Sequence, residues 1–233
     1  MSTVAVTGAS GHLGQAVVAE LYDAGHIVRR VGRRFPTTMR ADVVLHLAAP
    51  DWRDSRAVCD FYAFNVALYR WSAMTHTRVI NTGSWWQYAG PEAEALPYTR
   101  LKADQAQLFA TTLVPFSIYG DQARAGRGFI PQLQAHLRGD SSLSGVSAEP
   151  RDWIHVTDVA RAYLAAMKAP AGTYDVRTGQ AFSPAALARA CGVDGLPDYP
   201  ETPSCVLTYA NEIVPGWSPR HGVLTHLRQA VSA

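Results

Sequence analysis

Tyr98-Thr99-Arg100-Leu101-Lys102 sets a phenol and an ammonium four residues apart. In a helix that spacing puts both on one face, with their heads able to converge on the same bound molecule. A second constellation, Gly8-Ala9-Ser10-Gly11-His12-Leu13-Gly14, spaces three glycines three apart. It lies between a short β-branched run, Thr3-Val4-Ala5-Val6-Thr7, and the helical pattern Gln15–Leu21. Strand, tight turn and helix in that order form a cradle for the pyrophosphate of a dinucleotide. Gly8 permits the turn, Gly11 the close approach of backbone N–H groups, and Gly14 tight packing of helix on strand. The helix N-terminus adds unpaired N–H groups and the positive end of its dipole. Ser10, His12 and Leu13 complete the loop, with His12 beside the expected pyrophosphate. The spacing is looser than Gly-x-Gly-x-x-Gly, and its place after the first strand is what gives it weight.

The elements that must carry these groups follow in order. Ala24-Gly25-His26 stops the first helix, and Ile27–Val31 alternates as a second strand ending in Gly32-Arg33-Arg34. In a dinucleotide fold this strand end faces the adenine ribose, where a carboxylate would bind the free 2′-hydroxyl and an arginine would accept a 2′-phosphate. No carboxylate occurs between this strand and Asp42, so Arg33, with Arg34 as helper, points to NADP(H) rather than NAD(H). Phe35–Arg40 is too short for the helix and strand usually inserted there. Asp42–Pro50 reads as a buried apolar strand whose end, Leu47-Ala48-Ala49, is small enough for a cofactor to lie across. Ala57–Met74 is a helix with Asn65 as its polar exception, a kind of residue more often structural than catalytic. Arg78–Ser84 is a strand running into Trp85-Trp86-Gln87-Tyr88, and Tyr98 opens a helix fourteen residues past Ser84.

Leu113–Gly120 is a strand broken at Pro115, after which the rhythm changes. Helices are expected over Gly126–Ser147, over Val159–Met167 behind a Thr157-Asp158 cap, and over Ala185–Cys191 behind Ser183-Pro184. Gly172–Val176 is a further strand, and the Pro- and Gly-rich tail shows no readable pattern. The expected fold class is α/β, a doubly wound parallel sheet of the Rossmann kind with a small C-terminal substrate lobe. Residues 1–116 would form the dinucleotide-binding core, with 151–170 folding back onto it, and 117–233 a reduced substrate-binding lobe.

Charged residues make up 17% of the 233 and the formal net charge is +2, which leaves no electrostatic footprint for nucleic acid or an anionic membrane. A small-molecule partner is expected. Cys59, Cys191 and Cys205 are scattered and odd in number, as reduced thiols of a cytoplasmic protein are. The chain enters its first strand almost at once, so no signal peptide is expected, and no apolar run is long enough to span a bilayer. His221 and His226, five apart, do not share a helical face, and the other histidines are isolated, so no metal site is expected.

The glycine loop, His46-Leu47-Ala48-Ala49, Ser84, Tyr98-x-x-x-Lys102, Pro115-x-x-x-Tyr119-Gly120 and Arg151-Asp152-Trp153-Ile154-His155-Val156-x-Asp158 occur in this order. Together they resemble the extended short-chain dehydrogenase/reductases, the nucleotide-sugar epimerases, dehydratases and ketoreductases. The resemblance implies that Tyr98 is the proton donor or acceptor, and that Lys102 holds the nicotinamide ribose and lowers the tyrosine pKa. It makes Ser84 the hydroxyl that binds the reacting carbonyl. Arg151 is implied to meet the substrate diphosphate, Asn65 to lie near the nicotinamide, and Pro115 and Ser117 to flank the site. Trp85, Trp86 and Tyr88 would wall the sugar pocket, and a homodimer through helices flanking the site is implied as possible.

Family dehydratases carry an Asp-Glu pair where this chain has Trp85-Trp86, so elimination of water has no evident acid and base here. The chain between Ser84 and Tyr98 is also shorter than in the family, and Val114 stands where an arginine often precedes the proline. The expected activity is NADPH-dependent reduction of a keto group on a nucleotide-activated deoxysugar. The alternatives are an epimerase that retains NAD, and a non-catalytic NADP(H)-binding sensor.

Overall fold

A computed structural model describes residues 1–36, 38–120, 128–197 and 206–232. Alternating β and α segments build a six-stranded sheet. Its strands are β1 (Thr3–Thr7), β2 (Ile27–Val31), β3 (Val43–His46), β4 (Arg78–Thr82), β5 (Thr111–Pro115) and β8 (Gly172–Val176), with β6 (Ser117–Tyr119) and β7 (Arg151–His155) outside it. The order across the sheet is β2-β1-β3-β4-β5-β8, and every pairing is parallel. The order reverses at β1, which pairs β2 on one side and β3 on the other, so a crevice opens there at the carboxyl ends of the strands. β2 is an edge strand, as the short Phe35–Arg40 connection predicts.

Period-two alternation decides which helices cover which face. Val4 and Val6 pack with Leu45, Ile80 and Leu113 under α1 (His12–Asp23) and α6 (Val156–Ala166). Ala5, Val44 and Val79 face the other way, onto Leu68 and Trp71 of α2 (Ser55–Thr75). The α2 helix starts two residues earlier than its apolar period suggests because the Asp54 carboxylate accepts the N–H groups of Arg56 and Ala57. Beyond β4 come a 3-10 turn, Trp85–Tyr88, then α3 (Pro91–Glu94) and α4 (Pro97–Leu108).

The predicted strand over 113–120 divides. β5 stays in the main sheet, while β6 (Ser117–Tyr119) leaves it at Phe116 and pairs β7 (Arg151–His155), which pairs β9 (Ala181–Phe182). A second core forms there, with Tyr119, Trp153, Ile130, Leu133, Leu187 and Leu227 packed under α5 (Phe129–Leu137), α7 (Pro184–Ala190) and α8 (Val223–Ser232). The helix expected over 126–147 is thus α5, with 126 and 127 outside the described residues. The α6 cap also differs from expectation: the His155 ring accepts the Thr157 N–H at 3.3 Å, and Asp158 sits within the first turn.

Three fully buried aspartates organise the tail that shows no pattern in sequence. Asp175 accepts the N–H groups of Ala210 (3.1 Å) and Asn211 (3.2 Å), and Asp158 those of Arg220 (3.0 Å) and His221 (2.8 Å). Asp152 takes the Tyr209 hydroxyl (3.0 Å) together with the N–H groups of Thr178 (2.8 Å) and Gly179 (2.7 Å). Burial by itself would raise the Asp158 carboxyl. Its bonds from His221, Arg161 and Arg220 more than reverse this and hold it below its ordinary value.

Candidate active site

The glycine cradle has the shape that a pyrophosphate needs. Gly8 adopts φ 68°, and a Cβ on it would meet Ala48 N at 2.8 Å, so the turn and the β3 end close on each other only around glycine. At Gly14 a Cβ would lie 2.1 Å from Gly8 O, which explains how closely α1 approaches the strand. Gly11 is less crowded: a Cβ there would meet only Gly8 O, tightly at 3.3 Å. Ser10 and Gly11 are exposed at the crest. No side chain caps α1, and no acidic residue lies in its first turn, so its N–H groups and dipole suit an anionic group.

Beneath the cradle runs a buried chain of hydrogen bonds. The His46 ring contacts Thr7 Oγ1 at 2.7 Å through Nδ1 and Asn65 Oδ1 at 2.8 Å through Nε2. The Asn65 oxygen only accepts, so Nε2 carries the proton and Nδ1 accepts from the Thr7 hydroxyl. Thr7 Oγ1 in turn accepts the Ala48 N–H at 3.2 Å. Burial first, and the nearby Lys102 charge, lower the His46 pKa to about 3, so the ring stays neutral. Asn65 is therefore the buried support of His46 that its helix position suggests, and it lines no part of the cavity described next.

That cavity, about 370 Å³, opens at the carboxyl ends of β3, β4 and β5. It brings together Ser84, Tyr98 and Lys102 with Leu47, Ala49, Trp85, Trp86, Pro115, Ser117 and Arg151, ten of the sequence-predicted residues. Ser84 follows β4, Tyr98 and Lys102 share one face of α4, and Arg151 begins β7, so three separate elements converge. Trp85 is 3% exposed and stacks on Phe116, centroids 5.9 Å apart, so it is a core residue as well as a wall. Tyr88 turns the other way and accepts a hydrogen bond from the Asn211 amide at 3.3 Å, outside the cavity. Arg33 and Arg34 lie exposed in the bend after β2, also outside it. Asp42 is no substitute ribose ligand: its carboxylate accepts the Thr3 N–H at 2.7 Å, at the opposite end of the strands.

Burial pushes the Tyr98 phenol above its ordinary value, and a hydrogen bond with the Ser84 side chain offsets part of this. The resemblance implies a phenol drawn down by Lys102, whereas burial of Tyr98 acts in the opposite direction. The Lys102 ammonium instead donates to the Thr82 carbonyl oxygen at 2.9 Å and to Gln105 Oε1 at 3.2 Å, and burial lowers its pKa to about 8. Thr82, Tyr163 and Gln105 are the members of this site that sequence reasoning missed. The Tyr163 hydroxyl donates to Thr82 Oγ1 at 2.5 Å, and Thr82 donates to the His46 carbonyl at 2.8 Å, tying α6, β4 and β3 under the cavity floor. Thr82 sits two residues before Ser84, its one sequence signal. Tyr163 carries none beyond a place on the buried face of α6.

His155 and His221 do meet in space, centroids 4.5 Å apart, and His226 lies 5.5 Å from His155. Among the described residues, however, no group of three or more His, Cys, Asp or Glu is placed to hold a metal ion. Cys59 and Cys191 are free thiols, and Cys205 lies outside the described residues. No described helix is long and apolar enough to cross a membrane.

Residues 71–177 match the model of the NAD dependent epimerase/dehydratase family. Comparison with curated protein sequences gave no match. Among solved structures, the chain is similar to UDP-glucose 4-epimerase from Thermotoga maritima determined with UDP-glucose. The TM-score is 0.76 at 20% identity, covering 99% of this chain and 97% of that one. It is similar to the Bordetella bronchiseptica enzyme WbmG in complex with NAD and UDP (TM-score 0.76, 15% identity, 98% and 93% covered). It is also similar to TunA, an NAD-dependent NDP-hexosamine 5,6-dehydratase of tunicamycin biosynthesis (TM-score 0.77, 15% identity, 100% and 97% covered). Residues 71–177 are thus similar to the NAD dependent epimerase/dehydratase family, and the whole length shares its fold with these solved structures.

Proposed function

We propose that this protein is an NADPH-dependent reductase of a keto group on a nucleotide-activated sugar. The observation that carries the reading is the Ser84–Tyr98 hydrogen-bonded pair facing one cavity with Lys102 and Arg151, beside a glycine cradle shaped for a pyrophosphate. The nicotinamide, when bound, supplies a hydride for the carbonyl carbon. Tyr98 gives its phenolic proton to the carbonyl oxygen as negative charge builds there, and Ser84 donates the second hydrogen bond to that oxygen. A phenol at its ordinary value is already protonated at neutral pH, as a waiting acid must be, and burial pushes in the same direction. Lys102 is the cation on the same helix face and would hold the nicotinamide ribose. Arg151 meets the substrate diphosphate, and Trp85 and Trp86 wall the sugar. Preference for NADPH rests on Arg33 and Arg34 at the β2 end, with Asp42 engaged elsewhere.

A second reading, an epimerase that retains NAD, is favoured by the UDP-glucose 4-epimerase among the similar structures and by the NAD in WbmG. The test is loss of reduced-nicotinamide absorbance when the purified protein meets NADPH and a panel of nucleotide-linked 4-keto-deoxysugars. Tyr98→Phe should keep NADPH binding within about threefold and lower turnover at least about a hundredfold. Retained turnover in that variant sinks the assignment. NAD(H) that survives purification and dialysis supports the epimerase, and tight NADPH binding without oxidation across the panel supports the sensor.

A further inference from the structure

Gln87 stands outside the cavity, yet two hydrogen bonds run between it and Ser84. The Ser84 N–H donates to Gln87 Oε1 at 2.9 Å, and the Gln87 N–H donates to the Ser84 carbonyl oxygen at 3.0 Å. Since β4 ends at Thr82, the Ser84 N–H lies beyond the sheet ladder, and the Gln87 carboxamide is its acceptor. Gly83 makes the route possible. A Cβ there would lie 2.8 Å from Gln87 Oε1 and 3.1 Å from methyl groups of both Thr112 and Val114. On the other side of the turn, Trp85 is held against Phe116 with the rings 11° from parallel.

We propose that Gln87 is a positioning residue that sets the direction of the Ser84 hydroxyl toward Tyr98. The paired bonds hold Ser84 in an extended conformation, φ −153° and ψ 138°, from which its side chain engages the phenol. Without the carboxamide, the Ser84 N–H is left buried and unsatisfied, the turn loosens, and the hydroxyl samples other rotamers. A reacting group that points the wrong way part of the time lowers kcat while leaving substrate binding nearly unchanged. The proposal rests on reading Ser84 and Tyr98 as the reacting pair, so its test includes a measurement that needs no turnover.

Full-length protein labelled with 3-fluorotyrosine would be titrated by fluorine NMR, with the Tyr98 resonance assigned from Tyr98→Phe. Gln87→Met keeps the bulk and removes the acceptor. The Tyr98 midpoint should rise in Gln87→Met in the same direction as in Ser84→Ala, and the double variant should match Ser84→Ala alone. With an active substrate, Gln87→Met should lower kcat about five- to tenfold with KM within about twofold. Gln87→Glu, which restores an acceptor, should recover most of that loss. Gln87→Asn is too short to reach and should behave as Gln87→Met does, which covers the case of poor folding in the methionine variant. A Tyr98 midpoint unchanged in both Gln87→Met and Gln87→Asn overturns the proposal, as does a double variant in which the two effects add. If no keto-sugar is reduced but the titrations behave as stated, the proposed function fails and the positioning role stands.

Discussion

Replacing Thr82 by Val tests the buried chain under the cavity floor. Thr82 is 7% exposed, and its hydroxyl accepts from Tyr163 at 2.5 Å and donates to the His46 carbonyl at 2.8 Å. Valine keeps the branched shape and removes both bonds. The Tyr163 phenol, 0% exposed, is then a donor without an acceptor, which costs about 1–3 kcal/mol. For a chain of this size that corresponds to a fall in Tm of roughly 2–12 °C. Tyr163→Phe should be milder, about 1 kcal/mol, because Thr82 keeps the His46 carbonyl as its acceptor. The double variant has no orphaned donor, so it should be more stable than additivity predicts by about 1 kcal/mol or more. Urea unfolding of the three variants, followed by tryptophan fluorescence and circular dichroism at one pH, supplies the four corners of the cycle. The Lys102 bond runs to the Thr82 main-chain oxygen, so NADPH binding by folded Thr82→Val should be unchanged. Stability of Thr82→Val within about 0.5 kcal/mol of the parent, or strict additivity in the double variant, would refute the reasoning.

Two further outcomes follow from charges. Burial lowers the Lys102 pKa from an ordinary 10.5 to about 8, so between those values the unfolded chain holds a proton that the folded chain has released. Stability contributed by this site therefore rises with pH across that window, by up to about 3 kcal/mol, and parallel stability–pH curves for the parent and Lys102→Met would count against it. Arg33→Ala should weaken NADPH binding about tenfold or more while changing NADH binding less than about twofold, as loss of a charge-assisted bond to a 2′-phosphate would. Equal loss for both cofactors, measured by fluorescence titration, removes Arg33 from cofactor selection.

Several parts of this protein are local in origin and legible in the chain. The glycine cradle is one, because Gly8, Gly11 and Gly14 act on neighbours in the same turn and helix. The pairing of Tyr98 with Lys102 is another, since helical periodicity alone puts them on one face. The parallel sheet, its missing edge strand after β2 and the Ser183 cap of α7 also follow from apolar runs, loop length and capping chemistry.

Other features depend on which distant segments meet, and a periodic pattern carries no record of that. The Lys102 ammonium faces the Thr82 carbonyl rather than the Tyr98 phenol because the end of β4 passes beneath α4. Tyr88 leaves the cavity wall because a tail residue, Asn211, arrives at its hydroxyl. His155, His221 and His226, isolated by sequence spacing, gather because the tail is held to Asp158. What the sequence determined by itself was the Tyr98–Lys102 helix face and the glycine turn between β1 and α1, since short-range geometry suffices for both. Only the tertiary structure decided how those groups are held, through the hydrogen bonds of Thr82, Tyr163 and Gln87, and how the tail is held, through three buried aspartates. A buried polar atom must find a partner wherever the chain brings one, and that partner is seldom near in sequence.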